Sequence, residues 1–119
     1  MRLAMSNIAW TPDIAREAYA ILQNAGFNGL EFAPGLLFPN AVDPFAPSDD
    51  DVAAVMRDIE RFDLELVSMQ SLHFGAKDAF LFGREESRVR FATAIERSID
   101  LAARFSVRNL VIGSPRNRN

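Results

Sequence analysis

Residues 29–34 read GLEFAP, and this stretch decides the fold. Leu30, Phe32 and Ala33 are apolar without regular polar alternation, a pattern typical of a parallel strand that helices cover. An unpaired carboxylate buried inside such a strand would cost several kcal/mol. We therefore expect Glu31 near the carboxyl end of the strand, where parallel α/β folds open their ligand-binding crevice.

Three other segments repeat this pattern, over Leu3–Trp10, Leu64–Met69 and Asn109–Gly113. Apolar residues at helical spacing predict three helices between the four strands, each roughly 14 to 22 residues long. This βα order predicts an α/β fold with a parallel sheet and right-handed crossovers. A doubly wound sheet is one alternative. The turn after the first strand lacks the glycines of a dinucleotide-binding fold, and no fourth helix follows the last strand. We therefore favour the first half of a (β/α)8 TIM barrel, which needs about 250 residues when complete.

Local signals mark where the helices begin and end. Thr11 before Pro12 predicts a helix N-cap, and Ser48 ahead of three aspartates predicts a second one. Gly26 predicts a left-handed stop to the first helix. The loops over residues 34–47 and 70–83 are long, and long loops of this kind usually carry function.

The third helix is predicted to have one apolar face and exposed ion pairs. The face is expected from Ala92, Ile95, Ile99 and Ala102. The ion pairs are expected between residues four apart, Glu86 with Arg90 and Asp100 with Arg104.

Composition narrows the class of protein. A length of 119 residues with 49% apolar content and ten Phe fits one domain, residues 1–119, with an ample core. A net charge of -3 offers no basic surface, so we expect no nucleic-acid and no membrane partner. The absence of Cys excludes disulfides, thiolate metal sites and a thiol nucleophile, which agrees with a cytoplasmic protein. Residues 1–10 match a signal peptide poorly and no apolar run approaches membrane-spanning length, so we expect a soluble chain.

Five short motifs occur in order along the chain. They are SNIAW at 6–10, GLEFAP at 29–34, LFPN at 37–40, QSLHFG at 70–75 and GSPRN at 113–117. Together they resemble the N-terminal half of xylose isomerase-like TIM barrels, the sugar-phosphate isomerases and epimerases. The resemblance covers essentially the whole chain, truncated after the fourth strand, and its specificity comes from the order of motifs that are individually weak.

The resemblance implies proton transfer next to a sugar carbonyl, assisted by a divalent metal (Mn, Mg, Co or Zn). The metal ligands and the acid-base pair of the epimerases lie on strands five to eight, which are absent from this segment. We therefore expect no catalytic residue and no bound metal here, and a segment that is inactive alone.

The same superfamily contains apurinic endonucleases, which bind zinc through additional His residues at the ends of strands three and four. In this chain the resemblance puts Gln70 and Gly113 at those positions, and His73 would need a register shift to take the place of Gln70. The nuclease is therefore the less favoured reading.

Six side chains are candidates for binding a sugar substrate: Asn7, Trp10, Glu31, Gln70, His73 and Arg116. The amides of Asn7 and Gln70 donate to and accept from hydroxyls, although loop capping is their ordinary role. Glu31 suits substrate hydroxyls; its structural alternative is pairing with Arg116 or a backbone amide.

The other candidates have equally plain alternatives. The His73 imidazole suits ligand binding or acid-base chemistry, but a lone His in an aromatic loop is more often packed. Trp10 suits an apolar wall against a sugar face and is otherwise core. Arg116 suits a phosphate or carboxylate and is otherwise solvated. Backbone N–H groups of Gly113 and Ser114 are a weak anion-site signal.

Four strands leave two open edges and an inner face that we expect to be apolar and exposed. The expected partners are a small-molecule sugar and either a missing C-terminal half or further copies in a homo-oligomer. The alternative function is a non-enzymatic half-barrel module for binding or assembly.

Overall fold

The computed structural model describes residues 2–113 and 115–118, and its sheet has four strands. They are β1 (Ala4–Ser6), β2 (Gly29–Phe32), β3 (Glu65–Met69) and β4 (Asn109–Leu110). The spatial order is β1-β2-β3-β4, and each neighbouring pair is parallel. Crossovers between parallel strands are right-handed in nearly all proteins, and in a sheet of sequential order this rule puts the connecting helices on one face. The order never reverses as it does in a doubly wound sheet, so the chain is a half barrel of parallel βα units.

Four α-helices connect or follow these strands in the described part of the chain. They are α1 (Ala15–Asn24), α2 (Pro34–Leu37), α3 (Asp49–Arg61) and α4 (Glu85–Arg104), with 3-10 turns over Asn7–Ala9, Pro12–Ile14 and Pro115–Arg118. The short α2 lies in the loop predicted as irregular, so three helices were predicted where the structure has four. Within the described residues, no helix is both long enough and apolar enough to cross a bilayer.

Two of the three predicted helix signals are confirmed. The Ser48 hydroxyl accepts a hydrogen bond from the Asp51 N–H at 3.1 Å, as an N-cap does. Gly26 has a φ of +83°, the left-handed conformation that ends α1. The Thr11 prediction is right in position only: Thr11 is the residue before a helical turn that begins at Pro12, but its hydroxyl makes no capping bond. Pro12 instead starts a 3-10 turn that uses the Thr11 carbonyl, and α1 begins only at Ala15.

Half of the predicted packing face of α4 is confirmed, because Ala102 is buried and Ile95 packs partly buried against the core, but the other two residues do not face it. Ala92 is exposed and Ile99 is 51% exposed. The buried residues of α4 are Phe91, Ala94, Ser98, Leu101 and Ala102. Ser98 can face the core because its hydroxyl bonds to the carbonyls of Ala94 and Leu72, at 2.8 and 3.2 Å.

The predicted ion pairs along α4 are also wrong. Among the described residues, Arg90 makes no ion pair, and Arg104 does not pair with Asp100. The Arg104 guanidinium instead reaches the Asp49 carboxylate at 2.9 Å and the Pro47 carbonyl at 2.8 Å. These contacts join the end of α4 to the start of α3.

The core lies between the sheet and the helices. Its fully buried centre includes Leu30, Phe32, Ile59, Met69 and Leu101. Because side chains alternate along a strand, Gly29 and Glu31 face the opposite, inner side of β2. A Cβ at Gly29 would lie 2.9 Å from the Ala4 Cβ, so the amino end of this inner face has no room for a side chain there.

The carboxyl end of the inner face is polar. Ser6, Glu31, Ser68 and Gln70 contact one another there, next to the exposed Val111. The expectation of an apolar inner face was therefore wrong for this end, because hydrogen bonds between strands satisfy the polar groups.

Candidate functional site

A hydrogen-bonded network joins three strands at the carboxyl end of the sheet. The Gln70 amide nitrogen donates to Glu31 Oε1 at 2.8 Å and to the Ser6 hydroxyl. The Ser68 hydroxyl donates to Glu31 Oε2. Each oxygen of the carboxylate therefore has a neutral donor. Among the described residues, Glu31 bonds neither to Arg116 nor to a backbone amide, the two structural partners that the sequence predicted.

A β-bulge produces this alignment. The pairing of β2 with β3 shifts between Leu30 and Glu31, so that Leu30 lies opposite Leu66 but Glu31 lies opposite Ser68. The extra residue, Val67, turns Ser68 toward the inner face. Gln70 continues the same ladder, because its N–H bonds to the Phe32 carbonyl at 3.0 Å.

A cavity of about 570 Å³ opens beside this network, beyond the carboxyl ends of β3 and β4. Its walls come from the loop after β3 and from the segment after β4, and they include Gln70, His73 and Arg116. Asn117 holds the two walls together, since its side-chain amide donates to the Ala79 carbonyl at 2.7 Å and its backbone carbonyl accepts from the Leu81 N–H at 2.8 Å. Three of the six predicted site residues thus share one cavity.

His73 lies in the cavity wall and is only 4% exposed. Its ring stacks on Phe91, with 4.1 Å between the ring centroids. Neither ring nitrogen has a hydrogen-bond partner of ordinary geometry among the described residues. Burial lowers the pKa of His73 below 6.5; the Phe91 backbone opposes this shift and the Arg97 charge adds to it. At neutral pH the ring is an uncharged donor and acceptor.

Arg116 brings a positive charge to the cavity from the exposed 3-10 turn after β4. Gly113 also lines the cavity, but Ser114 lies outside the described residues, so the anion-binding prediction for Gly113 with Ser114 has no structural account.

Asn7 and Trp10 lie elsewhere, in a separate cleft of about 150 Å³. Asn7 is 2% exposed, and its amide both accepts from the Ala33 N–H at 2.8 Å and donates to the Ala33 carbonyl at 3.4 Å. It therefore fixes the connection from β2 to α2. Trp10 packs edge-on against Tyr19 at 6.0 Å. A role for either residue in substrate binding stays a prediction.

Sequence reasoning missed Ser6 and Ser68 as members of the site. The signal available was a lone hydroxyl residue within each of two apolar strand segments, at the carboxyl end where polar side chains meet a ligand. The bulge that aligns Ser68 with Glu31 leaves no mark in the hydrophobic pattern.

The residues of this site do not fit a divalent metal. In residues 2–113 and 115–118, no group of three or more His, Asp or Glu side chains converges. The network offers one carboxylate, and two neutral donors already occupy it. We therefore derive no step through a metal for this segment.

Comparison with protein-family models and with curated proteins finds no match to this chain.

Proposed function

We propose that this chain forms one wall of the substrate site in a sugar or sugar-phosphate isomerase- or epimerase-like TIM barrel. The observation that carries the proposal is the Glu31–Gln70–Ser6–Ser68 network beside a cavity of about 570 Å³. That volume lies within the range of about 300–1,000 Å³ common for small-molecule sites. The carboxyl end of parallel strands is where such folds bind their ligands.

The cavity walls suit a polyhydroxylated ligand. Gln70 Oε1 makes no hydrogen bond among the described residues, so it is free to accept one from a sugar hydroxyl. The His73 residue lines the cavity, but its ring nitrogens are buried and its ring packs on Phe91, so its contribution is to the shape of the wall. Arg116 supplies charge for a phosphate or carboxylate substituent.

The proposed role of this segment is substrate binding. In the family that the chain resembles, a divalent metal supplies stabilisation of the charge that develops during proton transfer. Here Gln70 and Arg116 bind and orient the ligand, and the segment alone is inactive. The proposed compartment is the cytoplasm, in agreement with a chain that has no Cys.

Ligand-observed NMR with a panel of aldoses, ketoses and their phosphates tests this proposal. We expect binding to the 119-residue protein that weakens at least about tenfold in Gln70→Leu, because the variant loses the amide and leaves Glu31 Oε1 unpaired. The matched control is Gln23→Leu, at an exposed position on α1, and this variant should bind as the wild type does. Absence of binding by the whole panel, or equal losses in both variants, would reject the proposal.

A second candidate is a non-enzymatic half-barrel assembly module. Two open sheet edges favour it. Among the described residues, the outer edges of β1 and β4 have no strand partner; the exposed Met5 lies on β1, and the exposed Val111 follows β4. An assembly module would associate without binding any sugar of the panel.

A further inference from the structure

A second cleft, of about 260 Å³, shares Ala76 with the first cavity and is lined by the loop after β3 and by α4. Lys77 comes from that loop, and Arg90, Thr93 and Arg97 come from α4. Residues three and four apart share one face of a helix, so α4 presents these three side chains together. We call this the basic cleft.

The basic cleft gathers the positive charges of Lys77, Arg90 and Arg97, while Asp43, whose charge acts on Arg97, lies outside its lining. No Asp or Glu of the described residues lines it, and neither Lys77 nor Arg90 makes an ion pair there. Three cations gather in this way on a chain whose net charge is -3. Like charges brought together destabilise the fold unless a counter-ion joins them.

Arg97 is held in place before any ligand arrives. Its Nη2 donates to the Phe74 carbonyl at 2.8 Å, and its guanidinium carbon lies 3.9 Å from the centroid of the Phe45 ring. Its Nε is buried and has no hydrogen-bond partner among the described residues. Burial lowers the pKa of Arg97 below its ordinary value, and the Asp43 charge opposes that shift. A fixed guanidinium loses little entropy when it binds an anion.

We propose that the basic cleft binds a phosphate dianion, either free or as the ester group of a small metabolite. Arg90 and Arg97 offer planar donors that match phosphate oxygens. Lys77 adds a mobile positive charge, and Thr93 adds a hydroxyl. The volume is below the range of about 300–1,000 Å³ common for whole organic ligands, which favours a compact anionic group. This site goes beyond the sugar cavity and does not depend on it.

Thermal unfolding and ¹H–¹⁵N NMR titration with inorganic phosphate test the proposal, with sodium chloride at matched ionic strength as reference. We expect phosphate to raise Tm by mass action and to shift the amide signals of the loop and helix residues that line the cleft. A parallel titration with glycerol 1-phosphate tells the two ligands apart. Tighter binding of the ester assigns the site to an esterified ligand, and equal binding of the two compounds assigns it to free phosphate.

The decisive variant is Arg90→Gln, with Arg88→Gln as its control. Both arginines are exposed on α4 and both changes remove one charge, but only Arg90 lines the cleft. Phosphate affinity should fall at least about tenfold in Arg90→Gln and in Lys77→Gln, and should be unchanged in Arg88→Gln. An absent phosphate-specific shift in the wild type, or an equal loss in Arg88→Gln, would overturn the proposal.

Discussion

At the scale of single residues, the Glu31 carboxylate is stable on the sheet because Ser68 and Gln70 each satisfy one of its oxygens. Ser68→Ala should destabilise the protein by about 1–2 kcal/mol, since it leaves a half-buried carboxylate oxygen without its donor. Urea unfolding measures the loss. Ser87→Ala in the first turn of α4 is the control and should stay within about 0.5 kcal/mol of the wild type. Equal stability of both variants would contradict the role given to Ser68.

His73 should make stability depend on pH between neutral and mildly acidic conditions. The unfolded imidazole binds a proton near its ordinary pKa of 6.5, whereas burial lowers the pKa of the folded one. Stability from the neutral ring is therefore complete above pH 6.5 and is lost as the pH falls through the folded pKa. His73→Phe retains stacking on Phe91 and should flatten this acid limb, because the chain has a single His.

Urea unfolding at pH 7.5, 6.5 and 5.5 compares the two proteins. Buffers free of phosphate and sulfate keep anion binding out of the comparison. Parallel pH dependences of wild type and His73→Phe would show that His73 does not titrate as its burial requires.

The position of Glu31 could be predicted because it follows from the pattern of one strand, but its partners could not. A bulge in β3 sets them, and a bulge depends on how two strands pair across the sheet. Asn7 illustrates the converse: the sequence allowed both substrate binding and loop capping, and the contacts in the structure are hydrogen bonds to the backbone of Ala33.

At the scale of elements, a helix start is stabilised only where the cap bond forms. Ser48→Ala should cost about 1 kcal/mol, because the Asp51 N–H loses its acceptor at the start of α3. Thr11→Ala is the matched control: Thr11 makes no capping bond, and the change should cost less than about 0.5 kcal/mol. Chemical unfolding of the two variants decides the matter, and a larger loss in Thr11→Ala would refute this reading of the two caps.

Elements whose signals are local were predictable, and those that depend on distant partners were not. The β2 strand and the capped helix α3 follow from propensity, capping and period within a few residues. The complete packing face of α4 does not follow from local signals. Ser98 belongs to it because its hydroxyl is satisfied by the Leu72 carbonyl, 26 residues away. Arg104 likewise pairs with Asp49 and not with its neighbour four residues back, since α3 offers a carboxylate nearby.

At the scale of the whole molecule, the sheet has two open edges. The outer edges of β1 and β4 have no strand partner among the described residues. Parallel edges at opposite sides of one sheet are complementary, so we expect the 119-residue polypeptide to self-associate as its concentration rises. Met5→Lys places a charge on the β1 edge and should lower this association. Ile21→Lys, at an exposed site on α1, should leave it unchanged. Sedimentation velocity over a concentration series measures the association of the wild type and of both variants. A wild type that stays monomeric at every concentration, or equal effects of Met5→Lys and Ile21→Lys, would show that the sheet edges do not drive assembly.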